Sequence, residues 1–113
     1  MSQNILIAID KILDERKNES ADDSYVASLY AKGLEKILKK VSEESTEVVM
    51  AAKDLEHDNS HKNKEHLIYE VADLWFHTMV LLAQQNLSST DITKELEKRF
   101  GLSGHVEKAA RTK

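Results

Sequence analysis

Ile5, Leu6, Ile9, Ile12 and Leu13 recur at i, i+1, i+4, i+7 and i+8, the spacing that aligns apolar side chains along one stripe of a helix. This first helix is expected to end near Lys17. Asn18 to Asp23 is polar turn material, after which Ser24 is placed to cap a short helix and Gly33 to close it in left-handed geometry. From Leu34 an apolar stripe runs through Ile37, Leu38, Val41, Val48, Val49 and Ala52, predicting a long third helix to about Leu55. Glu56 to Lys64, with two His, two Asn and no large apolar residue, reads as a loop. A fourth helix is predicted from about Glu65 to Gln85, and Ser88 to Asp91 offers caps for a fifth that runs to about Arg99. The tail after Gly101, residues 101–113, is expected to be loosely held unless a ligand orders it.

Composition sharpens this reading. The 113 residues include no Pro, three Gly and 5% aromatic residues, too little turn chemistry for a sandwich or barrel of many short strands. One all-α domain over 1–113, a bundle of about five helices, is expected. Burial of roughly two thirds of the unfolded surface suffices for a core at this size, and pairing with a second copy would add to it. Twenty acidic against sixteen basic residues, net −4, do not suggest a nucleic-acid or anionic-membrane surface, so any phosphate chemistry must be local. The absence of Cys excludes disulfides, thiolate metal sites and cysteine nucleophiles. The first residues lack a basic leader and carry Asp10, and no apolar run approaches the ~20 residues of a membrane span. A cytoplasmic protein is expected.

The fourth helix holds the candidate chemistry. Between Leu67 and Leu82 it is apolar around nearly its whole circumference, which predicts burial by partner helices or another subunit. Glu70, Asp73 and His77 nevertheless fall within about 60° of one another on it, one polar stripe on an otherwise apolar rod. Ionised carboxylates in such surroundings need a cation, a metal or water. The third helix carries Glu43, Glu44 and Glu47, like charges that repel unless something positive lies among them. An antiparallel hairpin about residue 60 would set Glu47 level with Asp73 and Glu44 level with His77, so that Glu44, Glu47, Glu70 and Asp73 face one another. Hard oxygen ligands without thiolates suit Mg²⁺ or Mn²⁺. His77 reads as a hydrogen-bonded core histidine before it reads as a ligand. Lys36 and Lys40, on the glutamate side of the third helix, fit either i,i+4 pairing or a phosphate clamp beside a metal. No P-loop, dinucleotide fingerprint or nucleophile elbow is present, so a hydrolase built on this chain would use metal-activated water.

The string Lys39-Lys40-Val41-Ser42-Glu43-Glu44-Ser45-Thr46-Glu47, followed after 22 intervening residues by Glu70-Val71-Ala72-Asp73-Leu74-Trp75-Phe76-His77, resembles the E-E-x-x-E and E-x-x-D signature of the all-α, MazG-like nucleotide pyrophosphohydrolases. More narrowly, Glu15-Arg16-Lys17, Ser24-Tyr25-Val26-Ala27 and the tail Arg99-Phe100-Gly101-Leu102-Ser103-Gly104-His105-Val106-Glu107-Lys108-Ala109-Ala110-Arg111 resemble the phosphoribosyl-ATP pyrophosphatase family of histidine biosynthesis. The similarity runs from about Ile5 to Arg111, and the tail is more specific than the carboxylates. Ser42 stands where that family usually has Gly, Ser45 where Ala is common and Val26 where Thr is common; every carboxylate is kept.

The resemblance implies hydrolysis of the α,β-phosphoanhydride of phosphoribosyl-ATP to phosphoribosyl-AMP and pyrophosphate, in a stand-alone enzyme without the fused cyclohydrolase domain of many relatives. It implies Mg²⁺, with Mn²⁺ as the alternative, on Glu44, Glu47, Glu70 and Asp73, and a catalytic role for Glu47 and for Glu43 as a further ligand or a base that orients the water. Arg16, Lys36, Lys40 and Arg99 are the expected phosphate contacts, and Ser103 and Gly104 a tail clamp over the substrate. A homodimer with active sites near its interface is also implied. Two rivals share parts of this sequence: a house-cleaning nucleoside triphosphate pyrophosphohydrolase and a catalytically silent helical dimer.

Overall fold

The computed structural model describes residues 2–102, with side chains from residue 5 onward. These residues form five helices, α1 (Ser2–Glu15), α2 (Tyr25–Lys32), α3 (Leu34–His57), α4 (His61–Gln84) and α5 (Ser89–Arg99), with a 3₁₀ turn at Arg16–Asn18 and no strand among the described residues. The first helix stops at Glu15, short of the expected Lys17, because the chain tightens into that turn. The tyrosine hydroxyl of Tyr30 donates to the Leu13 carbonyl at 2.8 Å and ties the end of α1 to α2. Burial, helped by Asp14, pushes that phenol up to about 12.

The two 24-residue helices α3 and α4 pack as a hairpin and form the backbone of the molecule. The turn between them is only residues 58–60, much shorter than the loop expected over 56–64. Capping explains the difference. Ser60 Oγ accepts the Asn63 N–H at 3.1 Å, while Asn63 Nδ2 donates to the carbonyls of Asp54 (3.3 Å) and Asp58 (2.9 Å). Terminal groups that would otherwise lack partners are satisfied, so residues 61–64 are helical although their side chains are polar and mostly in solvent.

The core draws Leu13 from α1, Val26 and Leu29 from α2, Ile37 from α3, and Met79, Val80 and Ala83 from α4. Each large apolar side chain buried in this way contributes about 1.5–3 kcal/mol. The burial expected around all of α4 is not found in the single chain. Only its C-terminal half is enclosed, whereas Ile68, Tyr69 and Trp75 are 69%, 66% and 59% exposed. Among the described residues, the remaining helices cover one side of the α3–α4 hairpin and leave the other exposed. On α3, likewise, Ile37 and Ala51 are buried, but Leu38 and Val49 are exposed.

At the other end of α4, Asn86 takes a positive φ of 62° and its Oδ1 accepts from Lys17 Nζ at 3.0 Å. Ser88 and Asp91, the stretch expected to cap α5, do so as a capping box. Asp10 of α1 reinforces it from outside, accepting from the backbone N–H of Ser89 at 3.0 Å and its hydroxyl at 2.5 Å, where the helix dipole favours a negative charge. No helix among the described residues is long and apolar enough to cross a membrane. The tail expectation falls mainly on residues 103–113, outside the described residues.

Gly33 joins α2 to α3 at φ 93° and ψ −179°, a positive φ with extended ψ that is essentially reserved for glycine. An added Cβ would meet nothing within 4 Å, so only backbone strain opposes it. Gly33→Ala is therefore expected to lower stability by about 1–3 kcal/mol. The check is a lower urea midpoint with an unchanged m-value and unchanged helical circular dichroism.

Candidate functional site

The antiparallel run of α3 past α4 brings Glu44 opposite Asp73 and His77. Ligand atoms of these three residues all lie within 4.8 Å of one another. Glu44 is 7% exposed and His77 3%, while Asp73 is half-buried. The next carboxylates on α3 turn outward: Glu43 and Glu47 are exposed, and with Lys40, Ser42, Glu44 and Thr46 they line an open cavity of about 420 Å³. Glu44 therefore stands at the meeting point of a buried polar cluster and a solvent-filled acidic recess.

Electrostatics in the cluster follow from that position. Burial first, and the neighbouring Asp73 second, push the Glu44 carboxyl above its ordinary range, against the opposing influence of Lys40 and His77; a hydrogen bond to Asp73 adds to the rise. Lys40 Nζ lies 3.6 Å from Glu43 and 3.8 Å from Glu44. Burial alone would lower this ammonium, but Tyr25, Glu44 and Glu43 together outweigh it and raise it. Desolvation also lifts the Tyr25 phenol, with Lys40 working against the rise and Asp73, Glu44 and Glu43 adding to it.

His77 is the hydrogen-bonded core histidine expected from its place on the helix. Its Nδ1 is 2.8 Å from the Asp73 carbonyl and 3.7 Å from Asp73 Oδ1, and its Nε2 is 2.9 Å from the Tyr25 hydroxyl. Both ring nitrogens are occupied within the protein.

Other candidates are placed differently. Glu70 Oε2 is 3.0 Å from His66 Nε2 and does not join the three-residue cluster. Lys36 is half-buried one turn before Lys40. Arg16 sits on the 3₁₀ turn, 3.6 Å from Glu19, and Arg99 ends α5 with its Nε 3.0 Å from Glu95. Ser103 and Gly104 lie outside the described residues. Sequence reasoning missed Tyr25 and His66 as neighbours of the carboxylates. The i,i+4 spacing of His66 and Glu70 was a usable signal; nothing local announced that Tyr25 reaches α4 from another helix.

The model of the family described as phosphoribosyl-ATP pyrophosphohydrolase matches residues 6–100. The chain belongs to that family. It is similar to the phosphoribosyl-ATP pyrophosphatase of Hydrogenovibrio crunogenus, with 68% identity over 113 residues, all of this chain and 97% of the relative. The phosphoribosyl-ATP pyrophosphatase of Neisseria meningitidis serogroup B is 54% identical over 112 residues, 99% of this chain and 98% of the relative. That of Methylococcus capsulatus is 54% identical over 108 residues, 96% of each. In this member of the phosphoribosyl-ATP pyrophosphohydrolase family the signature carboxylates thus divide: Glu44 and Asp73 meet in the cluster, Glu43 and Glu47 line the exposed recess, and Glu70 pairs with His66 apart from both.

A carboxyl raised in the folded state binds its proton more tightly there than in the unfolded chain. Its contribution to stability is full below the unfolded value near 4.5 and is lost as pH rises through the raised folded value. Glu44→Gln is accordingly expected to raise the melting temperature in chelator at pH 7, with the gain fading toward pH 4. Calorimetry of both proteins across that range reads the effect; a variant less stable than wild type at pH 7 contradicts it.

Proposed function

We propose that this chain hydrolyses phosphoribosyl-ATP to phosphoribosyl-AMP and pyrophosphate, the second step of histidine biosynthesis, with a divalent cation at the carboxylate cluster. The observation that carries the reading is the buried Glu44 set against Asp73 and His77 beside the acidic recess, in a chain of this family. The donor set fits a hard cation: the Asp73 carboxylate lies close enough to Glu44 to raise the proton affinity of Glu44, and there is no Cys in the chain. Glu44 and Asp73 would hold Mg²⁺ or Mn²⁺, with Glu47 and Glu70 as further ligands. When bound, the ion supplies neutralising charge for the polyphosphate and Lewis acidity toward water.

The chain's own groups do the rest. Glu43 and Glu47, exposed at the recess, orient the attacking water and accept its proton. Lys40 presents its ammonium to a phosphate oxygen, and Lys36, Arg16 and Arg99 supply further phosphate contacts. Ser103 and Gly104 clamp the substrate from the tail, 101–113, of a single catalytic domain, and the protein works in the cytoplasm.

The working form is a homodimer of MazG-like bundles. Its support is the uncovered side of α4, where Ile68, Ala72 and Trp75 follow one another at i, i+4 and i+7 in solvent. Beside them an apolar groove of about 480 Å³ is lined by Val41, Leu74, Trp75, Leu82, Ile92 and Leu96 among others. Contiguous apolar surface of this kind is characteristic of an interface. Trp75→Glu is expected to shift the protein from dimer to monomer in size-exclusion chromatography with light scattering; a wild-type monomer removes the dimer reading.

Pyrophosphate release tests the activity. Phosphoribosyl-ATP should be turned over with Mg²⁺ while ATP, dUTP and dCTP are not, and Glu47→Gln should reduce kcat/KM by about 100-fold or more, at or beyond what an outer-shell change costs. Turnover of free nucleotides instead would move the chain to the house-cleaning branch, and no turnover by folded, Mg²⁺-loaded protein would leave a silent helical module.

A further inference from the structure

The contact between Tyr25 and His77 spans α2 and α4 and ends on one member of the carboxylate cluster. Its proton arrangement follows from the chemistry of its two ends. The Asp73 carbonyl can only accept, so His77 Nδ1 carries the hydrogen and donates to it at 2.8 Å. In the neutral ring Nε2 is then an acceptor, and the Tyr25 hydroxyl donates to it at 2.9 Å. The imidazole is thereby held in one tautomer and one orientation. Packing reinforces this: the Phe76 ring meets it edge-on at 5.0 Å and the Tyr25 ring at 5.9 Å.

Tyr25 is 52% exposed, but the helix that carries it is firmly placed. Ser24 Oγ accepts the Ala27 N–H at 3.2 Å and caps the helix that Tyr25 opens, and Val26, Ala27 and Leu29 anchor that helix in the core. On the far side of the imidazole, Nδ1 stands 3.7 Å from Asp73 Oδ1. A ring fixed there lies against the Asp73 carboxylate, within the same cluster as Glu44.

We propose that Tyr25 and His77 are positioning residues: the phenol fixes the imidazole, the imidazole fixes the Asp73 carboxylate against Glu44, and the pair sets how tightly the site takes a divalent cation. Neither side chain ligates the ion in this arrangement, because both nitrogens of His77 are already engaged. The gain is preorganisation, since carboxylates held in place lose less freedom when the cation arrives. The inference rests on the cation-site reading above.

Mn²⁺ binding to the full-length protein, followed through the electron paramagnetic resonance signal of free Mn²⁺, tests it. The proteins compared are wild type, Tyr25→Phe, His77→Asn and the double variant. Tyr25→Phe removes only a hydroxyl, and His77→Asn keeps an amide N–H near the Nδ1 position while losing Nε2. Each single variant should weaken Mn²⁺ binding about 10–100-fold. The double variant should be no weaker than the worse single, because both substitutions break one chain of contacts. Circular dichroism and melting temperature establish that the variants are folded. Wild type that binds Mn²⁺ with Tyr25→Phe of equal affinity overturns the inference alone, even where the melting temperature falls. Losses that add in the double variant overturn the single chain of contacts, and a folded wild type that takes up no Mn²⁺ overturns the cation site and this inference with it.

Discussion

A carboxylate enclosed between two helices costs free energy unless a proton or a cation meets it, and Glu44 is in that position, with a second carboxylate, Asp73, facing it from α4. Lys40 reaches Glu44 only at 3.8 Å and shares itself with Glu43, so the pair is incompletely compensated from within the chain. Much of the remaining architecture maintains this arrangement. The long hairpin holds the two acids level, the tight turn at residues 58–60 sets its register, and α2 props the buried end through Tyr25 and His77.

The division between stable and chemical parts is equally physical. Leu13, Leu29, Ile37 and Val80 are fully buried, and they hold α1 and α2 against the hairpin without any polar demand. The recess carries the opposite composition, with Glu43 and Glu47 open to solvent beside the half-buried Lys40. Charged side chains of this kind keep their solvation only with access to water, whereas the scaffold needs dryness. Glu44 lies on the boundary, which is why its carboxyl is pushed above its ordinary range and why it links stability to pH.

The uncovered apolar side of α4 belongs to the same economy. Among the described residues, α1, α2 and α5 are gathered near the other faces of the hairpin of 24-residue helices, and these three helices are too few to enclose both of its sides. Ile68 and Trp75 are left in water as a consequence of that count. Their exposure turns a helix that reads as a core rod into a surface with an apolar stripe.

Much of this was legible in the sequence. The apolar spacing located α1, α3 and α4, the caps at Ser24, Gly33 and Ser88 located α2 and α5, and the carboxylate strings together with the tail carried the resemblance to the family. Polar residues at 61–64 misled, because a capped helix end tolerates side chains that a periodicity test takes for loop. What only the tertiary structure decided is which acids meet. Successive residues on a helix differ by about 100° in direction, so Glu43 and Glu44 are adjacent in sequence yet one faces water and the other Asp73. The spacing of residues along one helix sets their relative directions, but the rotation of that helix against its neighbour is set by packing contributed from the whole chain. Tyr25 illustrates the same limit: its hydroxyl completes His77 across 52 residues of sequence, a contact that exists only once α2 has docked.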